Sequence, residues 1–146
     1  MRKHARAEIV GVWKLESWIH EDIETKERRT VFGENPNGCL VLTSSGRLLA
    51  ILTAEGRKPP KTTDETIEAF SSMVAYSGKY RVDTNTVTTR VDIAWDESQV
   101  GTDQVRYCRM EGDRLKIETA PFVSPRFGGR MVRSFLTWQR EGIVES

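Results

Sequence analysis

Gly11-Val12-Trp13 opens the first strand-like run of the chain, and Leu136-Thr137-Trp138-Gln139-Arg140 closes the last. If these two strands pair, the sheet closes on itself, and its inside is either a packed core or a cavity for a small molecule. Working outward from these two ends, Gly78, Tyr80 and Val82 alternate with Ser77, Lys79 and Arg81, and Leu115 and Ile117 alternate with Lys116 and Glu118. That two-residue period is the mark of a half-buried strand. Further strand-like runs fall at 11–23, 28–32, 38–44, 47–53, 86–94, 102–111 and 129–140. They are separated by Ser44-Ser45-Gly46, Asp83-Thr84-Asn85 and Glu111-Gly112-Asp113, whose residues tolerate positive φ or bond their own backbone. Tight turns between consecutive strands favour an antiparallel meander, since parallel strands need long crossovers. The expectation is an all-β, up-and-down barrel of about eight or nine strands. It occupies residues 8–140 of a single domain spanning 1–146, with short flexible termini.

One segment breaks the strand pattern. Thr62-Thr63-Asp64-Glu65 has capping-box spacing, and Ile67, Phe70, Met73 and Val74 follow at helical intervals. This predicts a helix over about 63–74 that plugs one barrel end, lids the other, or packs across the outside. Two turn-rich stretches, Phe32 to Gly38 and Pro121 to Gly129, are expected to rim the barrel mouth. The second carries Phe122 and Phe127, is expected to be mobile, and would be costly to leave in water without a neighbour or ligand.

Composition narrows the function. Lys+Arg 22 against Asp+Glu 21 leaves a formal charge of +1, no electrostatic footprint for nucleic acid or an anionic membrane. No apolar stretch has the length of a membrane span, and the basic start is followed by a strand-like run, not a signal-peptide apolar segment. A cytoplasmic location is the expectation. Cys39 and Cys108 stand alone in separate runs and read as free thiols, and with only His4 and His20 there is no metal-ligand spacing. No nucleophile elbow, phosphate loop or dinucleotide fingerprint occurs, so no cofactor is expected.

Six short motifs in order carry a resemblance. They are Gly11-x-Trp13-x-Leu15-x-Ser17, Phe32-Gly33-Glu34-Asn35-Pro36-x-Gly38, Tyr76-x-Gly78-x-Tyr80, Gly101-Thr102-Asp103-Gln104-Val105-Arg106, Gly112-Asp113-Arg114-Leu115 and Leu136-x-Trp138-x-Arg140. Over about residues 8–140 the chain resembles the bacterial and fungal lipocalin-like domain proteins. The resemblance implies an up-and-down barrel around a small-molecule cavity, a fold that hosts carriers, sensors, isomerases and cyclases alike. It also implies that Trp13 stacks with Arg140 to close the barrel floor, a structural role. The chain departs from the family pattern at Cys39, where an aromatic residue is usual, and at Thr89-Arg90, where histidines are common. Cys39 would then enlarge the interior or open a thiol into it.

Gln104, Arg106 and Cys108 share one strand face, and Val105, Tyr107 and Arg109 share the other. The resemblance favours Gln104 and Arg106 inside. A buried guanidinium needs an anion, either Asp92 from the preceding strand or the ligand itself. Arg90 and Asp92 share a face, so both line the pocket, or both join Arg109 in an exposed ladder with Val87, Thr89, Val91 and Ile93 inside. Tyr76, Tyr80 and Ser17 are candidate hydroxyl contacts. His20 falls opposite Trp13 by strict alternation, hence outside.

The resulting functional expectation is binding of a small, largely apolar molecule whose polar end is fixed by Arg106, Gln104 and Tyr80. The alternative is a cofactor-independent isomerase, lyase or cyclase, with Asp92 moving a proton and Arg106 or Tyr80 steadying oxyanion charge. A third class is an interaction module using the Phe-bearing loops, which oligomeric state and partner pull-down discriminate; the chain itself is expected to be a monomer or a homodimer.

Overall fold

The computed structural model describes residues 3–142, with side chains from Arg6 onward. Helix α1 (Lys3–Ile9) leads into β1 (Gly11–Asp22), β2 (Arg28–Thr30), β3 (Asn37–Leu42) and β4 (Arg47–Thr53). After α2 (Thr63–Ser71) come β5 (Met73–Asp83), β6 (Thr86–Ala94), β7 (Asp103–Glu111), β8 (Arg114–Thr119), β9 (Phe122–Ser124) and β10 (Arg130–Arg140). The hydrogen-bonded order is β2-β1-β3-β4-β5-β6-β7-β8-β10-β9, and β1 also pairs with β10. That extra pairing closes an antiparallel ring of eight strands, with β2 and β9 as short additions outside it.

The ring closes at a built joint. Trp13 pairs with Arg140 across β1 and β10, and the guanidinium lies 4.2 Å from the indole centroid. Arg140 also donates to the carbonyls of Val10, at 3.0 Å, and Glu8, while the Trp13 indole N–H donates to Ile9 O at 2.9 Å. These are the carbonyls that the end of α1 leaves without helical partners. Gly11, with φ of 143°, is obligatory beneath them, because a Cβ there would sit 2.8 Å from Arg140 Nη1. The N-terminal segment read as a flexible approach to the barrel is thus, over Lys3–Ile9, a helix tied to the floor. Residues 1–2 and 143–146, also expected to be flexible, lie outside the described residues.

Above the floor Trp13, Leu15, Leu42, Leu115 and Trp138 form a close-packed layer. Gly78 is required in the wall, since a Cβ would meet the Arg90 carbonyl oxygen at 2.0 Å. The alternation then fails at one decisive place. Leu15 pairs with Trp138 and Ser17 with Thr137, leaving Glu16 as a bulge residue. A single extra residue moves every later side chain to the other face. Trp18, His20 and Asp22 therefore turn inward, and His20, expected outside, is 2% exposed. Asp22 is held by the Glu24 and Thr25 backbone N–H groups and by Arg130. Those hydrogen bonds, Thr25's first, keep its carboxyl below the usual range.

The expected helix forms and is capped as read, with Thr62 Oγ1 accepting from Glu65 N at 3.1 Å. It stops at Ser71, and Met73 and Val74 begin β5 instead, because Thr53 pairs with Met73 and Leu52 with Val74. No residue of α2 is buried. It neither plugs the barrel nor crosses its side; it stands on the rim, where Phe70 O accepts from Trp95 Nε1 at 3.1 Å. The run expected at 28–32 ends at Thr30, and Phe32 turns away with φ of 66°.

Three outcomes test these constraints. Arg140→Met should lower the urea-unfolding free energy by about 2–3 kcal/mol, through lost charged hydrogen bonds and the cation–π contact. Gly78→Ala should cost about 2 kcal/mol or more by the same measurement, because the Cβ has no room. Burial first, and Arg126 second, lower the His20 pKa from 6.5 to about 4, so the unfolded chain binds that proton more tightly. This contribution is complete above pH 6.5 and is lost as pH falls toward 4. Wild-type stability should consequently decline with acid more steeply than that of His20→Leu.

Candidate functional site

The open half of the barrel encloses a cavity of about 520 Å³. That volume lies within the range of small-molecule pockets. Its floor includes Ile9 at the end of α1, with Leu115 and Trp138 beside it, and its walls include Leu40, Ala50 and Leu136. Polar groups border the cavity as well: Asp103, Gln104 and Arg106 of β7, Tyr76 of β5 and Thr89 of β6. The Asp103 carboxylate lies 3.4 Å from Arg90.

Arg106 is the cation that β7 brings to the cavity. Its guanidinium donates to Gln104 Oε1 and, at 3.0 Å, to Val105 O, both neutral acceptors. Among the described residues Arg106 makes no ion pair. Two further polar atoms of lining residues, Trp138 Nε1 and Gln99 Oε1, are buried without a protein partner. Such atoms carry a desolvation cost that a polar group of a ligand can relieve. Cys108 faces the same space, and burial pushes its thiol up to about 12. It is a neutral side chain at physiological pH, not a nucleophile.

Several residues read from the sequence lie elsewhere. Asp92 is on the outer wall, with 44% of its side chain exposed, and Arg47 grips it at 2.9 and 3.0 Å. Plain alternation puts it there: Val87, Thr89 and Val91 take the inward positions of β6, so Arg90 and Asp92 face out. A second bulge lies at the same place, since Ser77 pairs with Ile93 and Gly78 with Val91, leaving Asp92 between. The Arg47 hydrogen bond holds its carboxyl below the usual range. Asp92 therefore cannot carry protons within the barrel, and the isomerase, lyase or cyclase alternative loses the residue it required. Arg90 is also outside, 3.4 Å from Asp103. Val87, Thr89 and Val91 are inside as the ladder reading had it, but Ile93, beyond the bulge, is exposed.

Cys39 is exposed because Leu40 and Leu42 take the inward positions of β3. Ser17 falls outside the lining, on the face opposite Trp18, for the reason already given for Glu16. Tyr80 points inward but below the cavity, where its hydroxyl donates to Thr43 O at 2.6 Å and Arg6 covers its ring. It belongs to the packed floor. Trp13 and Arg140 form the floor joint described above.

The mouth supplies residues that strand patterning missed. Trp18 reaches the cavity only because of the Glu16 bulge. Trp95 and Gln99 stand just past the end of β6, and Phe122 and Arg126 come from the connection between β8 and β10. The available signal for the last two was the pair of Phe residues in a turn-rich stretch. Arg126 Nη1 donates to Ser71 O at 2.7 Å, linking that stretch to the end of α2.

Among the described residues no helix is long and apolar enough to cross a membrane. No curated protein matches the chain. A family model described as a lipocalin-like domain matches residues 10–141. The match runs from the residue before β1 to the residue after β10, so what is shared is the entire closed barrel, and the chain belongs to the lipocalin-like domain family.

Proposed function

We propose that the barrel binds a small, largely apolar molecule with one acceptor or anionic group, held by Arg106 and Gln104 and flanked by Tyr76. The observation that carries this reading is the Arg106 guanidinium, which borders an apolar cavity with only neutral protein partners. An anion or strong acceptor on the ligand completes its coordination, and the surrounding Leu and Trp side chains exclude water from the rest. The lipocalin-like barrel supports the apolar part of this reading, and the β7 side chains support the polar part. Tyr76 replaces Tyr80 in the ligand set, since the Tyr80 hydroxyl is already satisfied in the floor.

Two measurements check the proposal. The neutral fluorescent probe N-phenyl-1-naphthylamine should bind both wild type and Arg106→Leu, whereas decanoate should displace it about tenfold less well from the variant. Absence of probe binding by either protein would remove the cavity reading. In thiol titration with a coloured disulfide reagent, Cys39 should react rapidly and Cys108 slowly, and decanol should slow Cys108 further. Unchanged Cys108 kinetics at saturating probe would place the ligand elsewhere.

A further inference from the structure

Outside the barrel mouth lies a second, smaller pocket of about 160 Å³, bordered by His20, Arg29, Thr30, Phe32, Arg126 and Phe127. Its construction is reciprocal. Arg29 of β2 lies 4.3 Å from the ring centroid of Phe127, and Arg126, next to Phe127, lies 4.8 Å from the ring of Phe32, two residues after β2. Each segment thus lends a ring to the other's guanidinium. A guanidinium stacked on a ring keeps its N–H donors in its own plane, already oriented and partly stripped of water.

The charges of this pocket are poorly balanced. Arg126 is bonded to a neutral carbonyl, that of Ser71. The partner of Arg29 is Glu27, at 3.4 Å, with both side chains more than half exposed. An exposed pair of that length contributes little. Of the acids that follow His20 in β1, Glu21 is paired with Arg28 at 2.7 Å, and Asp22 is committed to Arg130 and to two backbone N–H groups. Behind the pocket His20 is buried, with Nδ1 3.3 Å from Ser124 Oγ and Nε2 without a protein partner. Two cations and a buried imidazole bordering one small space make a receptor for negative charge.

We propose that this pocket binds a small oxyanion, a carboxylate or a phosphate, between the guanidinium groups of Arg29 and Arg126. A charge of opposite sign removes the repulsion between the two cations and uses donors that have no acidic partner, or only a weak one. Arg126 also borders the main cavity, as do Trp18 and Phe122, whose rings pack edge-on against His20 at 5.8 and 5.6 Å. The anion is therefore either free or the charged end of a cavity ligand. The pocket itself stands whether or not the cavity reading holds.

His20 supplies the readout. The groups that bear on it are Arg126 beside Phe127, Arg29 from β2, Asp22 on its own strand and Arg130 from β10. Because Arg126 is one cause of its lowered pKa, an anion beside Arg126 should move His20 upward from about 4. The experiment is an NMR titration of the His20 imidazole at constant ionic strength, with inorganic phosphate, acetate, decanoate and decanol as probes. Saturable shifts with phosphate or acetate support a free-anion site. Shifts with decanoate but not decanol support the charged end of a cavity ligand. Arg29→Gln and, separately, Arg126→Lys should weaken the response about tenfold, the ratio expected for one lost charge-assisted contact. Arg29→Gln should retain N-phenyl-1-naphthylamine binding, since Arg29 does not line the cavity. Silence from phosphate, acetate and decanoate alike, or saturation untouched by both variants, overturns the proposal. Loss of naphthylamine binding by wild type would instead count against the cavity.

Discussion

The joint between Trp13 and Arg140 is the contact on which the rest of the molecule rests. It ties the first strand to the last, so a sheet that would otherwise present two open edges becomes a ring. The same guanidinium and indole satisfy the carbonyls at the end of α1, which brings Ile9 to the bottom of the cavity. One half-buried cation therefore performs two tasks: it closes the barrel and it seals its lower end. The opposite end has no comparable seal, and that asymmetry is why the hollow lies where it does.

Bulges then decide what faces the hollow. At Glu16 the first strand exchanges its faces, taking Ser17 off the inner face and turning Trp18 and His20 inward. At Asp92, already outward and paired with Arg47, the sixth strand does likewise and leaves Ile93 in solvent. Both bulges fall toward the mouth half of their strands. The floor consequently keeps the regular alternation of a packed core, while the mouth collects aromatic rings and cations.

The distribution of charge follows the same division. On the outer wall arginines have carboxylate partners, as in Arg47 with Asp92, Arg109 with Glu111 and Arg114 with Glu16. At the cavity and the mouth, Arg106 and Arg126 are bonded to an amide and to carbonyls. On the proposed reading, Arg106 and Arg126, whose protein partners are neutral, receive an acceptor from outside. This contrast, more than the volume of the hollow, gives the site its chemical direction.

Local pattern was enough to read the architecture. Apolar residues at every second position, turns rich in Gly, Asn and Asp, and the Thr62 capping signal are short-range features, so strands, hairpins and the helix start were legible residue by residue. That Gln104, Arg106 and Cys108 share a face was legible for the same reason, since β7 keeps an unbroken period, but that this face points inward was only what the family resemblance implied. What the sequence could not show were events that depend on a partner strand. A bulge is a mismatch of register between two strands, and nothing in Glu16 or Asp92 alone announces it. The inward turn of His20, the exposure of Ile93 and the stacking of Arg29 and Arg126 on each other's neighbours were therefore decided by tertiary pairing, whereas the outward Arg90 and Asp92 already followed from the alternation of Val87, Thr89 and Val91. The end of α2 at Ser71 belongs with them, for helical spacing continues through Val74 while pairing with β4 claims those residues for the sheet.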